Sequence, residues 1–284
     1  DGLQVTSRTS AFAFKGVNED VREIAGKLNV QKIIEGSVRK AGSKVRITAQ
    51  LINASDGYHI WSATYDRNLE DIFEVQDEIS RAIANKLREN LLPEKHEAPI
   101  AAPPTENLEA YKKYLQALIN WDSIQMQVRF NAVEKLKEAV ALDPEFAAAH
   151  ALLAVIYSFP GIMGIMDATE AKQLAKSHAG MAIKAQPENP KAMAAMAIVK
   201  LSEWEWKQAY DLLTKANGIN PSEPAVYFVL GEYYMLMLQY DKAAAVAKRT
   251  AEVDPMSART LAEAARILIY INRPDEAREL AERS

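Results

Sequence analysis

The chain has 284 residues, a quarter of them charged, a net charge of −4 and no cysteine. Disulfides, Cys-ligated zinc and thiol catalysis are thereby excluded. The charge balance argues against a nucleic-acid partner, which needs a basic footprint, and against a polybasic membrane patch. A hydrophobic share of 49% suffices for a real core, but no apolar run reaches the 18 residues of a transmembrane helix. The chain opens on Asp1-Gly2 without an initiator Met and ends at Ser284 inside a helical pattern. It reads as a fragment of a longer protein, with any targeting information upstream and the cytoplasm as the expected compartment.

Residues 1–92 read as mixed α/β. Leu3–Ser10 is a candidate strand, and Asn18-Glu19-Asp20 can cap a short helix ending near Leu28. Lys32–Arg39, Lys44–Ile52 and Tyr58–Tyr65 are candidate strands of an antiparallel meander, joined by turn signals at Ala41-Gly42-Ser43 and Asp56-Gly57. In the middle strand Val45, Ile47, Ala49 and Leu51 alternate with Lys44, Arg46, Thr48 and Gln50, which predicts one face in a core and one in water. Ile72, Val75, Ile79, Ala82, Ile83, Leu87 and Leu91 recur at helical spacing over Glu70–Leu91 and would cover the sheet. Residues 93–106 hold four prolines and read as a semi-rigid linker and domain boundary.

Residues 107–284 read as helix throughout. Pro144, Pro187, Pro221 and Pro255 close four similar segments and are separated by 43, 34 and 34 residues. A helix-turn-helix period of 34 is the tetratricopeptide signature. The clearest copy is Pro224–Ser257. Tyr227, Leu230, Gly231 and Tyr234 lie on its first helix, and Ala243 and Ala247 on its second. The 43-residue spacing predicts a nine-residue insertion after Tyr157, within 158–167. Its apolar stretch Phe159–Met166 would be either a lid over the array or a helix extension. The expected architecture is therefore an α+β N-terminal domain, a mixed or antiparallel sheet with covering helices, followed by an all-α tetratricopeptide superhelix of about four and a half hairpins.

The segment from Ser7 to Ile83, SRTSAFAFKGVNEDVREIAGKLNVQKIIEGSVRKAGSKVRITAQLINASDGYHIWSATYDRNLEDIFEVQDEISRAI, resembles a domain called TolB-N-terminal-like. The tetratricopeptide copies after it, with the Trp204-Glu205-Trp206 stretch, resemble the repeats that usually succeed it. The resemblance covers nearly the whole chain. It implies the C-terminal part of a bacterial class III adenylate or guanylate cyclase, a winged-helix regulator or a Ser/Thr kinase. Such domains normally begin with an apolar strand and a helix ahead of Leu3, which this chain lacks. The expectation is an open sheet edge, filled by self-association or by a partner.

Candidate chemistry is sparse. His59, His96, His150 and His178 are not spaced as ligands with Asp, Glu or each other, so neither metal nor cofactor is expected. Gly161 and Gly164 lack the Lys and Ser/Thr of a phosphate loop, and no GxSxG elbow occurs. The acidic stretch 66–78 reads as a solvated helix start. Trp204 and Trp206 read as packing at a helix-helix turn. First helices of such repeats line a concave groove that commonly holds a peptide. Counting along the copies gives Lys191, Ala194, Ile198 and Leu201, then Phe228, Glu232, Met235 and Leu236, then Arg259, Arg266, Ile269 and Tyr270. Apolar anchors beside Lys191, Arg259 and Arg266 suit a peptide with acidic groups. The expected role is a non-catalytic protein–protein interaction and regulatory module of a larger bacterial signalling protein. A cyclase fragment that retains catalysis and a small-ligand sensor are the alternatives.

Overall fold

The structure is a computed structural model that describes residues 5–68, 72–91, 104–123, 125–158 and 166–282. Two compact units are present, one made of Asp1–Gln4 and Phe14–Glu106, the other of Val5–Ala13 and Asn107–Ser284.

The first unit is built on an antiparallel meander of β1 (Lys32–Ala41), β2 (Lys44–Asn53) and β3 (His59–Asn68), with β2 in the centre. Gly42 and Gly57 take positive φ in the two connections, a conformation that costs little without a Cβ. Ile47 stands opposite Val38 on one side and Tyr65 on the other. The helix Ile72–Leu91 lays Val75, Ile79 and Ile83 on Val45, Ile47 and Tyr65, so the alternation in β2 puts its apolar face in this core. On the opposite face Arg46 meets Asp66 at 2.7 Å. A short helix, Val21–Leu28, starts at Asp20, whose side chain accepts from the Arg22 N–H, and ends at Asn29 in the left-handed region. The cover is incomplete, because β1 is an edge strand whose Ile34 and Val38 stay exposed, Val38 at 69%.

The strand expected over Leu3–Ser10 is not formed by its described residues. Ser7 instead caps a one-turn helix, Arg8–Phe12, by accepting from the Ser10 N–H, and the segment belongs with the second unit. The local reason is the pair of hydroxyls at Ser7 and Ser10. A helix cap offers the backbone an alternative to a strand ladder.

The second unit is a run of helical hairpins. We number helices in chain order, so that Arg8–Phe12, Val21–Leu28 and Ile72–Leu91 are α1 to α3. The hairpins are α4 (Leu108–Trp121) with α5 (Met126–Leu142), α6 (Ala147–Tyr157) with α7 (Ala168–Ala185), α8 (Pro190–Ser202) with α9 (Trp206–Ile219), α10 (Pro224–Leu236) with α11 (Tyr240–Val253), and α12 (Ala258–Tyr270) with α13 (Pro274–Ala281). Side-chain caps from Asn107, Asn189, Glu223 and Ser257 start four of the first helices. Each second helix from α5 to α11 stops two residues before Pro144, Pro187, Pro221 or Pro255.

The 34-residue phase is visible in the backbone. Trp204, Leu238 and Asn272, each 34 apart, all sit at positive φ after a first helix. The next residue donates back five positions, Glu205 to Lys200, Gln239 to Tyr234 and Arg273 to Leu268, at 2.8–2.9 Å. This is a Schellman closure repeated three times. The same phase recurs in the core. Ala154, Ala197, Gly231 and Ala265 are buried small residues on the first helices, and Ala132, Ala175, Ala209, Ala243 and Ala277 on the second. Small residues let the helix axes approach, while Leu152, Leu153, Leu213, Leu261 and Leu268 fill the flanks. From Ala154 to Ala175 is 21 residues, against 12 from Ala197 to Ala209, so the irregularity lies between these marks. Residues 159–165 of the expected insertion lie outside the described residues, as do residues 93–103 of the linker. The α7 helix runs 18 residues, against 14 for α9 and α11.

At Gly231 the approach is closest. A Cβ there would lie 2.5 Å from Ile267 Cδ1 on α12. Gly231→Ala gains helix propensity of about 1 kcal/mol but overpacks this contact at a cost of about 1–3 kcal/mol. The expected outcome is a net loss of about 1 kcal/mol in urea unfolding. Ile267→Val removes Cδ1, and in that background the same substitution should become neutral or stabilising.

Candidate functional site

The sequence-predicted groove residues all lie on first helices of the hairpins, and they fall into three groups. In the first group, Phe228 and Glu232 of α10 meet Arg266 and Tyr270 of α12. The Arg266 guanidinium lies 5.5 Å from the Phe228 ring and 5.5 Å from the Tyr270 ring. It pairs with Glu232 and, through Nε at 3.0 Å, with Glu263. A stacked guanidinium held between two carboxylates has its own charge compensated and its position fixed, and the cluster carries a net negative charge. Arg266 is therefore not the spare cation that the sequence suggested for an acidic ligand. Tyr270 and its neighbour Ile269 face outward, Tyr270 at 68% exposure, and Leu236 is also exposed.

The second group is Lys191 and Arg259. The Lys191 ammonium lies 4.0 Å from the Glu223 carboxylate, which holds its pKa above the usual lysine range. Arg259, in the first turn of α12, places its guanidinium 5.6 Å from the ring of Trp121 at the end of α4, and its Nη2 is 3.9 Å from Asp122. Arg129 lies 5.6 Å from the same ring and donates through Nε to the Ser123 carbonyl at 2.6 Å. Burial pushes the Asp122 carboxyl above its ordinary value, against the pull of Arg259 and Lys191. The first and fifth hairpins thus come into contact through these side chains. Trp121 closes the first helix of the first repeat in the sequence pattern, but no spacing links Trp121 or Asp122 to Arg259, 138 and 137 residues away. Their only sequence signal is a Trp-Asp pair at a helix end.

The third group corrects the expectation. Leu201 is 7% exposed and sits with Ala194 in the core shared by α8, α9 and α10. Neither offers a surface to a ligand, since both lie on the stripe that packs against the next hairpin. Ile198 and Met235 are half-buried and pack on the cores at their own hairpins. The Trp pair also divides. Trp206 packs on the core, whereas Trp204 is 76% exposed at its left-handed turn position. Their rings meet edge-on at 5.2 Å.

At the end of the array where α4 meets α12, the segment Val5–Ala13 of the same unit is seated. Ser7 N donates to the Val253 carbonyl at 2.9 Å, and Thr9 Oγ1 donates to Asp122 at 3.3 Å. The hydroxyls of Ser7 and Ser10 both donate to the buried Asp254 carboxylate. In the sequence, Asp254 reads only as part of a closing Asp-Pro.

Two histidines that the sequence left unpaired come together. His150 on α6 and His178 on α7 approach to 2.8 Å between their Nδ1 atoms. His150 Nε2 is 3.0 Å from the Pro144 carbonyl. A carbonyl only accepts, so Nε2 carries the proton, and the His150 Nδ1 accepts from the His178 Nδ1–H. The 28-residue separation conceals the pair because adjacent antiparallel helices create it. His178 also stacks on Tyr157, with ring centroids 5.7 Å apart. Among the described residues no group of three or more His, Asp or Glu is placed to hold a metal ion.

No protein-family model matches the chain. A Rhizobium meliloti (strain 1021) protein named "Putative adenylate cyclase 3" is 39% identical over 158 residues, covering 55% of this chain and 26% of that protein. The match therefore spans about a quarter of that relative's length. Among solved structures, the Thermus thermophilus TPR protein TTC0263 aligns with a TM-score of 0.46 at 16% identity, over 60% of this chain and 87% of that one. The pilF protein of Pseudomonas aeruginosa gives 0.40 at 20% identity, over 62% and 75%. YrrB, described as a TPR protein with an unusual peptide-binding site, gives 0.32 at 21% identity, over 63% and 86%.

The histidine pair has a pH consequence. Burial, and next the neighbouring His150, bring the His178 pKa down from 6.5 to about 4. Between those values the unfolded chain takes up a proton that the folded chain refuses, so stability falls as pH falls through this window. The thermal midpoint should drop from pH 6.5 to pH 4, and drop less in His178→Gln. Equal slopes in the two proteins would show that the pair is not linked to folding.

Proposed function

We propose that this chain is a non-catalytic interaction and regulatory module of a larger bacterial signalling protein, and that the inner face of its helical repeats binds a peptide or protein partner. The observation that carries this reading is the surface around Arg266. Exposed Tyr270, on which Arg266 stacks, shares this part of the array with exposed Ile269 and Leu236, and Arg266 is already paired with Glu232 and Glu263. Such a surface offers an aromatic anchor whose position the guanidinium holds before binding, which lowers the ordering cost of association. A partner with one or two apolar side chains fits it better than a strongly acidic one, since the local cations already have carboxylate partners.

Catalysis, in this reading, belongs to other parts of the parent protein. The named cyclase relative supports a cyclase parent, with this chain tuning its output through protein contacts. A displayed peptide library selected on the chain should yield apolar-anchored sequences. Tyr270→Ala, which removes an exposed ring and leaves the core intact, should weaken the selected peptides about tenfold or more. Unchanged affinity would move the binding surface elsewhere. Turnover of ATP or GTP by the purified chain would overturn the non-catalytic assignment.

The uncovered edge of the sheet favours a second contact. Ile34 and Val38 are exposed on β1, whose outer edge has no strand partner among the described residues, and an unpaired apolar edge invites another strand. We infer self-association through this edge. Sedimentation should show concentration-dependent dimerisation that Val38→Lys abolishes, and a strict monomer at all concentrations would count against it.

A further inference from the structure

The seating of Val5–Ala13 is unusual in what it buries. Within the segment only Ser7 and Ser10 are buried, and the large apolar side chains of Val5 and Phe12 remain exposed. A core element hides its hydrocarbon and leaves its hydroxyls wet. This one does the reverse.

The hydroxyls are held by a built site. Ser7 Oγ and Ser10 Oγ donate to Oδ1 of Asp254, the latter at 2.7 Å. Thr260 Oγ1 donates to the other oxygen, Oδ2, at 2.6 Å. Asp254 is 1% exposed, and its two oxygens accept three hydroxyls. Ser10 Oγ also accepts from the Met256 N–H at 2.9 Å. The backbone of Ser7 bonds Val253, and Thr9 reaches Asp122 on α4. The capped helical turn sets the spacing. Ser7 as cap and Ser10 one turn later present both hydroxyls to one carboxylate, while Thr9 reaches a second one. Little apolar surface is buried, so the segment is tied by a few hydrogen bonds, each contributing about 1 kcal/mol net. A segment held in this way opens at low free energy compared with the packed helices.

We propose that Asp254 and Asp122 form a receptor for a hydroxyl-rich helix start of the form Ser-Xaa-Thr-Ser, and that the chain's own Ser7–Ser10 occupies it as a displaceable occupant. An outside peptide of the same chemistry binds by exchange with this segment, which makes the contact autoinhibitory. The proposal rests on reading the repeat array as a peptide-binding module, and it names the ligand class for the end where the first and fifth hairpins meet.

Hydrogen exchange on the full chain reads the exchange with the receptor intact. The Ser10 amide should be protected relative to the free peptide. A synthetic peptide of residues 5–13 should raise its exchange rate at least tenfold. It must be added in millimolar excess, because a tethered occupant competes at a high effective concentration. The same peptide carrying Ser7→Ala and Ser10→Ala should have no effect. Protection that neither peptide alters would show a fixed structural element and overturn the exchange. An amide as fast as in the free peptide would show that the segment is not seated and overturn the proposal outright. Hydrogen exchange at Ser10 uses neither the Tyr270 surface nor any partner, so a failure there is read separately from a failure here.

Discussion

The second unit depends on how closely neighbouring helices can approach. A hairpin with one apolar stripe cannot bury it alone and must stack on the next. At the tightest points the contact positions carry almost no side chain, namely Ala154, Ala197, Gly231 and Ala265 on the first helices and Ala132, Ala175, Ala209, Ala243 and Ala277 on the second. The larger residues beside them then interdigitate at core density. Because the small positions share one phase, each hairpin is rotated on the last in a similar way. Three identical left-handed closures at Trp204, Leu238 and Asn272 preserve that rotation.

The curvature that follows places charges. Side chains 34 residues apart become neighbours, as Arg266 and Glu232 do. Side chains on the first and fifth hairpins, Trp121 and Arg259, also come within contact. Bringing ionic groups together between packed helices costs desolvation unless they pair, and Lys191, Arg266 and Arg259 each face a carboxylate. What stays exposed is the aromatic and aliphatic rim at Tyr270, Ile269 and Leu236, while the buried Asp254 carboxylate is occupied by the chain's own Ser7, Ser10 and Thr260.

The first unit obeys a different constraint. Its core lies between β2, β3 and one helix, and the alternation in β2 alone decides which face is dry. The third strand of the sheet, β1, adds Ile34 and Val38 to the same side as Leu51 and Ile47, where they stay exposed. Among the described residues, α3 covers β2 and β3 and the short α2 contacts β1, and the two together do not enclose Ile34 and Val38.

The meander, its turns, the covering helix, the closing prolines and the 34-residue phase were legible because each follows from local spacing or local chain chemistry. Periods of 2 and 3.6 and left-handed or proline-bound turns act over a few residues. The candidate groove residues were legible only in part. Phe228, Glu232, Arg266 and Tyr270 meet because the phase is regular, but Leu201 and Ala194 turned inward because helix rotation, not spacing, decides which stripe packs. The His150–His178 contact, the pairing of Trp121 with Arg259 and the capture of Ser7 and Ser10 by Asp254 had no local signature. They join residues 28, 138 and about 250 positions apart. By itself, then, the sequence determined the elements and their repeat, through local periodicity. Which side chains were neutralised, which were left open and where the segment Val5–Ala13 came to rest were decided only by the tertiary structure, because curvature accumulated over five hairpins brings distant ends of the chain into hydrogen-bonding range.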